Sequence, residues 1–230
     1  MKIVFSGLFT FLQGEARSPI IVSEAREKTR EPPLAQQAQT VVHHLTAAIQ
    51  DVEVMVTQDR PFVFTVRTTG AIRSKIQLLF ADLTADIDDM EVAEGRRRQG
   101  RCRQFTQELC LALRNIGFDK MTLYAVNDGL VTWAALGFRP TRGAWRIHRG
   151  SVESSFRAHR SEFPPAVAQD ISDLILANQV NVFPIIANVR LDGQLHGGEL
   201  AKRILGILKG WHGEFDVGNE RDGQYFFREG

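Results

Sequence analysis

Positions 96 to 103 read Arg96, Arg97, Arg98, Gln99, Gly100, Arg101, Cys102, Arg103, five arginines in eight residues. Guanidinium groups crowded around one glycine suit an anion, since each can donate charge-assisted hydrogen bonds and the glycine lets the backbone come close. The bland alternative is a solvated basic start of a helix. Just upstream, Asp86, Asp88, Asp89 and Glu91 supply four carboxylates. Two-residue alternation along a strand puts Asp86 and Asp88 on one face. There they can accept a proton, or they can pair with the arginines on an exposed edge. Cys102 sits where arginines and a helix start lower a thiol pKa, but no histidine partner can be placed beside it. His43 and His44 are adjacent on a helical stripe and point about 100° apart, which makes them poor joint ligands. His196 and His212 have glycine-rich flanks, but two histidines do not make a metal site. No metal is expected.

These residues need a strand that ends near Val92 and a helix that starts near Gly100. The pattern supplies both. Ile87–Val92 alternates as a strand. Phe105, Leu109, Leu111, Ala112, Leu113 and Ile116 give a helical face, closed by Asn115 and Gly117. A turn between them aims unpaired amides outward at a helix N-terminus, where the macrodipole adds about half a positive charge. Upstream, Leu34–Gln50 carries a helical stripe, and Val52–Thr57, Phe62–Val66 and Ile76–Phe80 read as an antiparallel meander broken at Asp59-Arg60-Pro61 and Thr68-Thr69-Gly70. Downstream come a strand at Met121–Val126, a short helix at Leu130–Leu136 ending at Gly137, and a strand beginning at Trp145–His148. Residues 165–178 read as a helix, Val180–Val189 as a strand, and Gly198–Lys209 as an amphipathic segment. Gly197-Gly198 and Gly210–Gly213 read as turns.

Residues 2–12 read as a first strand, and 15–33 as a polar arm ending in Pro32-Pro33. The chain has 230 residues, 43% of them apolar, with 28 Lys and Arg against 27 Asp and Glu. Near-neutral charge gives no global pull toward nucleic acid or an anionic membrane. No run reaches 18 apolar residues, so no membrane partner is expected. Cys102 and Cys110 are eight positions apart on one helix. That spacing is about 12 Å, too far to bridge, and the usage fits a reducing compartment.

The stretch Arg97-Arg98-Gln99-Gly100-Arg101-Cys102 resembles the acyl-CoA turn of the GNAT superfamily of acetyltransferases, described as Gln/Arg-x-x-Gly-x-Gly/Ala. Trp133-Ala-Ala-Leu136-Gly137-Phe138 resembles that family's closing element, commonly Tyr-x-x-Leu-Gly-Phe. The two stand in order, with a helix and a strand between them, over about residues 50–150. Gly129 to Phe138 and the tail Leu205–Asp216 are similar to a divergent subgroup of bacterial GNAT-like domains.

The resemblance implies a mixed α/β fold, a splayed mixed sheet flanked by helices, with an irregular C-terminal extension. It divides the chain into an N-terminal strand and arm at 1–33, an acyl-CoA-binding core at 34–150, and an extension at 151–230 packed on that core. It implies acetyl-CoA or another acyl-CoA as co-substrate. The pyrophosphate would lie on the amides of Arg98 through Arg103, with Arg97 at the head of the turn. The pantetheine arm would bond the backbone of Met90, Glu91 and Val92 like an added strand, and Asn127 would face the arm's amides. Asp86 or Asp88 would be the base that frees an amine for attack on the thioester. The acceptor is a small amine, a peptide, a protein lysine or an aminoacyl-tRNA. A homodimer is compatible with the family, as are a cytoplasmic location and export as an effector.

Three departures qualify the likeness. Cys102 replaces a smaller residue. Trp133 stands where many members carry a tyrosine that protonates the leaving thiolate, and an indole N–H does not titrate usefully. The spacing from Asn127 to Trp133 is six, one shorter than the commonest pattern.

Overall fold

A computed structural model describes residues 34–97, 99–189 and 197–218. The strand expected at 2–12, the arm at 15–33, Arg98 and His196 lie outside the described residues. The chain is mixed α/β, with seven strands and seven α-helices among them. It divides into two compact units at Met121/Thr122.

The first unit is a meander with two helices. Helix α1 (Leu34–Ala48) buries Ala38, Val41, Val42 and Leu45, the stripe its sequence spacing predicts. Strands β1 (Val52–Arg60), β2 (Val63–Gly70), β3 (Ile72–Leu79) and β4 (Thr84–Val92) pair in sequence order, each antiparallel to the next. One face is buried throughout. Val54, Val66, Ile76 and Ile87 are all under 5% exposed, and Val66 stands opposite Ile76, which stands opposite Ile87. Helix α2 (Arg101–Asn115) buries Phe105, Leu109, Ala112 and Leu113, and Gly117 turns the chain out of it at φ 78°. Phe80 ties the meander to the turn after α2, with its ring edge-on to Phe64 and to Phe118.

The register slips twice, between Gln58 and Arg60 on β1 and again between β3 and β4. Ile87 faces Ile76 and Asp89 faces Lys75, so Asp88 is an extra residue in β4. This is a β-bulge, placed where the strand approaches the arginine turn.

The second unit takes its strands from distant parts of the chain. Strand β5 (Lys120–Ala125) crosses the division, and β7 (Trp211–Asp216) lies between β5 and β6 (Arg139–Pro140). Around them run α3 (Gly129–Ala135), α4 (Arg142–His159), α5 (Pro165–Leu176), α6 (Val182–Ala187) and α7 (Gly197–Leu205). Two aromatic chains form the core. Trp133 meets Phe138, which meets Phe215; Trp145 meets Phe183, which meets Trp211. Arg139 on β6 pairs with Glu214 and Asp216 on β7. Arg203 on α7 grips Glu162 with both guanidinium nitrogens, at 3.0 and 2.6 Å, and His159 binds the same carboxylate. The boundary expected at 150 falls inside α4.

Several expected elements differ. Gly197-Gly198, expected as a turn, opens α7, and Thr68-Thr69-Gly70, expected as a break, ends β2. The strand at Trp145–His148 is part of α4. Thr141 caps that helix by accepting from the Ala144 amide, and Ala144, Trp145, Val152 and Phe156 share its buried face. The four-residue window alternates only by accident, since Ile147 is 74% exposed. The strand at Val180–Val189 is the helix α6, whose Pro184 falls in the first turn, where its missing N–H leaves no gap. Finally, the turn expected at Gly210–Gly213 is replaced by β7, which begins at Trp211 directly after Gly210 and contains Gly213. A Cβ on Gly210 would sit 2.4 Å from the Tyr124 hydroxyl, and one on Gly213 would sit 2.7 Å from the Trp211 ring. These glycines admit neighbouring side chains.

Candidate functional site

The described site residues of the first unit fall on β4, the turn after it and the start of α2. The turn begins with a short 3-10 segment at Glu94–Arg96. Arg97 folds back and donates through Nε to the Val92 carbonyl at 3.2 Å, while its guanidinium lies 3.7 Å from Glu91. Gln99 donates to the Gly95 carbonyl at 3.2 Å. Arg96 pairs with Asp51 at 3.3 Å. Gln104 donates to the Ala48 carbonyl at 2.8 Å, fixing the start of α2 against the end of α1.

Gly100 is the N-cap of α2, with φ 72° and ψ 3°. That left-handed geometry is strained for any residue with a Cβ. A Cβ there would meet nothing within 4 Å, so the space before the helix is open. No side chain caps the helix. Its first intrahelical bond runs from the Gln104 amide to the Gly100 carbonyl. The amides of Arg101, Cys102 and Arg103 therefore precede the helical ladder. A main-chain cradle for an anion has this form.

On β4 the bulge places Asp88 and Asp89 together against Lys75. Lys75 binds the Asp88 carboxylate, and Gln77 donates to it at 3.1 Å. The Lys75 hydrogen bond leads in holding the Asp88 carboxyl below the usual carboxylate range; Gln77 and the Lys75 charge help, against a partial cost of burial. Asp86 stands opposite Gln77, so the two carboxylates share a strand face, as alternation predicts. Glu91 is engaged by Arg73 as well as by Arg97. Met90 and Val92 are half-buried. Lys75 and Gln77 were not singled out by the sequence reading. The alternation of β3 puts them on the face of Asp86, but only the register shows which carboxylate they meet.

Cys102 is half-buried. Burial pushes its thiol up to about 12, which removes the thiolate that a nucleophile needs. Cys110 is likewise raised, to about 11, by burial.

Asn127 and Trp133 lie in the second unit. Asn127 follows β5 with φ 50° and is exposed. Trp133 is 8% exposed and packs edge-on to Phe138, with ring centroids 5.1 Å apart. Its ring also lies against Gly129, where a Cβ would come within 3.1 Å. His212 is exposed on β7, its ring 4.7 Å from Tyr124. Among the described residues no group of three His, Cys, Asp or Glu could hold a metal ion, and no helix is long and apolar enough to cross a membrane.

No family profile and no curated protein matches the chain. Among solved structures, the crystal structure of nourseothricin acetyltransferase matches at 18% identity, over 39% of this chain and 70% of that one, with a TM-score of 0.31.

Proposed function

We propose that the chain is a GNAT-like N-acyltransferase that moves an acetyl or other acyl group from acyl-CoA to a primary amine within a ternary complex. The observation that carries this reading is Gly100: a left-handed, uncapped helix start with open space before it, at the glycine of the acyl-CoA-like motif. The pyrophosphate would rest on the amides of residues 98–103, with arginine charge around it. The pantetheine arm would lie along Met90, Glu91 and Val92.

The chemistry asks three things of this chain. The acceptor ammonium must lose a proton. Asp86 and Asp88 are the candidate bases: Asp86 faces Gln77 across the strands, and Asp88 is held ionised by Lys75 and Gln77. The amine nitrogen then attacks the thioester carbonyl, and the developing oxyanion is met by backbone amides near Met90–Val92. As the intermediate collapses, the C–S bond breaks and the thiolate leaves. Trp133 supplies no titrating proton to it, so the thiolate leaves as such or is protonated by solvent. The acceptor's class (small amine, peptide, protein lysine or aminoacyl-tRNA) is not set by these groups.

The test is thiol release from acetyl-CoA against a library of amines. Acceptor-dependent release that is abolished by Asp86→Asn or by Asp88→Asn is the expected result. Binding without turnover for every amine would instead favour a second reading, a non-catalytic CoA-binding or interaction module, such as an effector domain. The buried, packed Trp133 in the tyrosine's place is the observation behind that alternative.

A further inference from the structure

The second unit holds an open pocket of about 460 Å³ between α3 and the segment that joins α7 to β7. Its size falls within the range of small-ligand sites. Leu130, Val131 and Leu208 give it an apolar wall, and Asn127, Lys202 and Lys209 give it polar groups. Lys202 reaches Glu199 at 3.3 Å, but both side chains are more than half exposed, and a pair so placed holds the lysine weakly. Lys209 makes no ion pair among the described residues. Asp128 on the rim and Glu199 beside Lys202 balance the two positive charges formally, so the Lys209 ammonium is the group left to meet an anion.

We propose that this pocket is an anion site for a small organic molecule. A phosphate or carboxylate would lie between the Lys209 and Lys202 ammonium groups, within reach of the Asn127 amide, and the apolar body would rest on Leu130, Val131 and Leu208. A lysine is a mobile point charge, so the site selects charge and size rather than a planar, two-pronged group. The proposal shares only Asn127 with the acyltransferase reading and stands if that reading falls.

Two sources could bring the anion: the 3′-phosphate of coenzyme A, or an acidic acceptor. Calorimetric titration of the full chain with coenzyme A, 3′-dephospho-coenzyme A and glutarate separates them. Lys202→Gln with Lys209→Glu should weaken at least one of the three by about tenfold or more, without lowering the melting temperature. Arg157→Gln, which removes a charge elsewhere on the same unit, should change none. A loss for coenzyme A but not for its dephospho form assigns the anion to the 3′-phosphate. A loss for glutarate assigns it to a carboxylate ligand. Binding of none of the three by the wild-type chain, unchanged affinity in the double variant, or an equal loss in Arg157→Gln overturns the proposal. Gly100→Glu, which tests the cradle at α2, should leave glutarate binding intact, so the two failures are distinguishable.

Discussion

Lys75 on β3 reaches the carboxylate of Asp88, the residue that the bulge adds to β4. The contact joins the backbone irregularity to the electrostatics of the candidate site. Without the bulge, Lys75 would face a single β4 residue; with it, Lys75 stands opposite Asp89 in register while its ammonium binds Asp88. Gln77 also donates to Asp88, and it faces Asp86 across the strands. Asp88 is thereby held by two neighbours from β3.

Lys75→Met should release Asp88. Its carboxyl should titrate higher, followed by carbon-detected NMR. A carboxyl lowered in the folded state stabilises the fold above the ordinary carboxylate range and loses that contribution as pH falls through its depressed value. The wild-type chain should therefore weaken more steeply than Lys75→Met under acid, read as denaturation midpoints across that range. The half-exposed setting keeps the difference small.

Gly100→Glu should reduce acetyl-CoA affinity by more than tenfold, about 1.4 kcal/mol. It puts a side chain and a negative charge into the open space before α2. Gly100→Ala separates strain from repulsion: forcing a Cβ into φ 72° should cost about 1 kcal/mol of stability with a smaller effect on binding. Unchanged calorimetric affinity in folded Gly100→Glu would remove the turn from the reading.

Cys102 should behave as an inert thiol. Its pKa of about 12 keeps it protonated through neutral and mildly alkaline pH, so alkylation should be slow in the native chain and fast after denaturation. A thiol raised in the folded state contributes stability below its ordinary value and loses it as pH climbs toward 12. Cys102→Ser should keep turnover within about twofold. Loss of activity by orders of magnitude would restore the catalytic-thiol reading.

Trp133→Phe should keep most of any transfer activity while lowering the folding free energy by about 1–2 kcal/mol. The indole fills the space between Gly129 and Phe138, and a smaller ring leaves a gap there. Turnover that collapses while the melting temperature holds would show a chemical role instead.

A chain ending at Arg149 should aggregate or melt without cooperativity. The cut falls within α4 and removes β7, the strand between β5 and β6. Phe138 would lose Phe215, and Arg139 would lose both of its carboxylates. Solubility, melting and acetyl-CoA binding of 1–149 are the measurements. A soluble fragment that melts cooperatively would make the tail a separate module.

The sequence alone determined much of the first unit. Hydrophobic spacing sets α1 and α2, alternation sets β1 to β4, and a lone glycine among arginines marks the turn, because each of these is a local pattern within a few residues. Asp86 and Asp88 were legible as a pair on one face for the same reason. The tertiary structure decided the rest. Trp145–His148 alternates like a strand but is helical, because Thr141 caps the chain and Trp145 buries against Phe183, well beyond a four-residue window. Gly210–Gly213 reads as a turn, yet Gly210 leads straight into β7 and Gly213 lies within it, and the two make room for Tyr124 and the Trp211 ring. The bulge at Asp88, which lets Lys75 hold one carboxylate, depends on the pairing of β3 with β4. Register, close approach and partner choice are relations between distant residues, and a local pattern does not encode them.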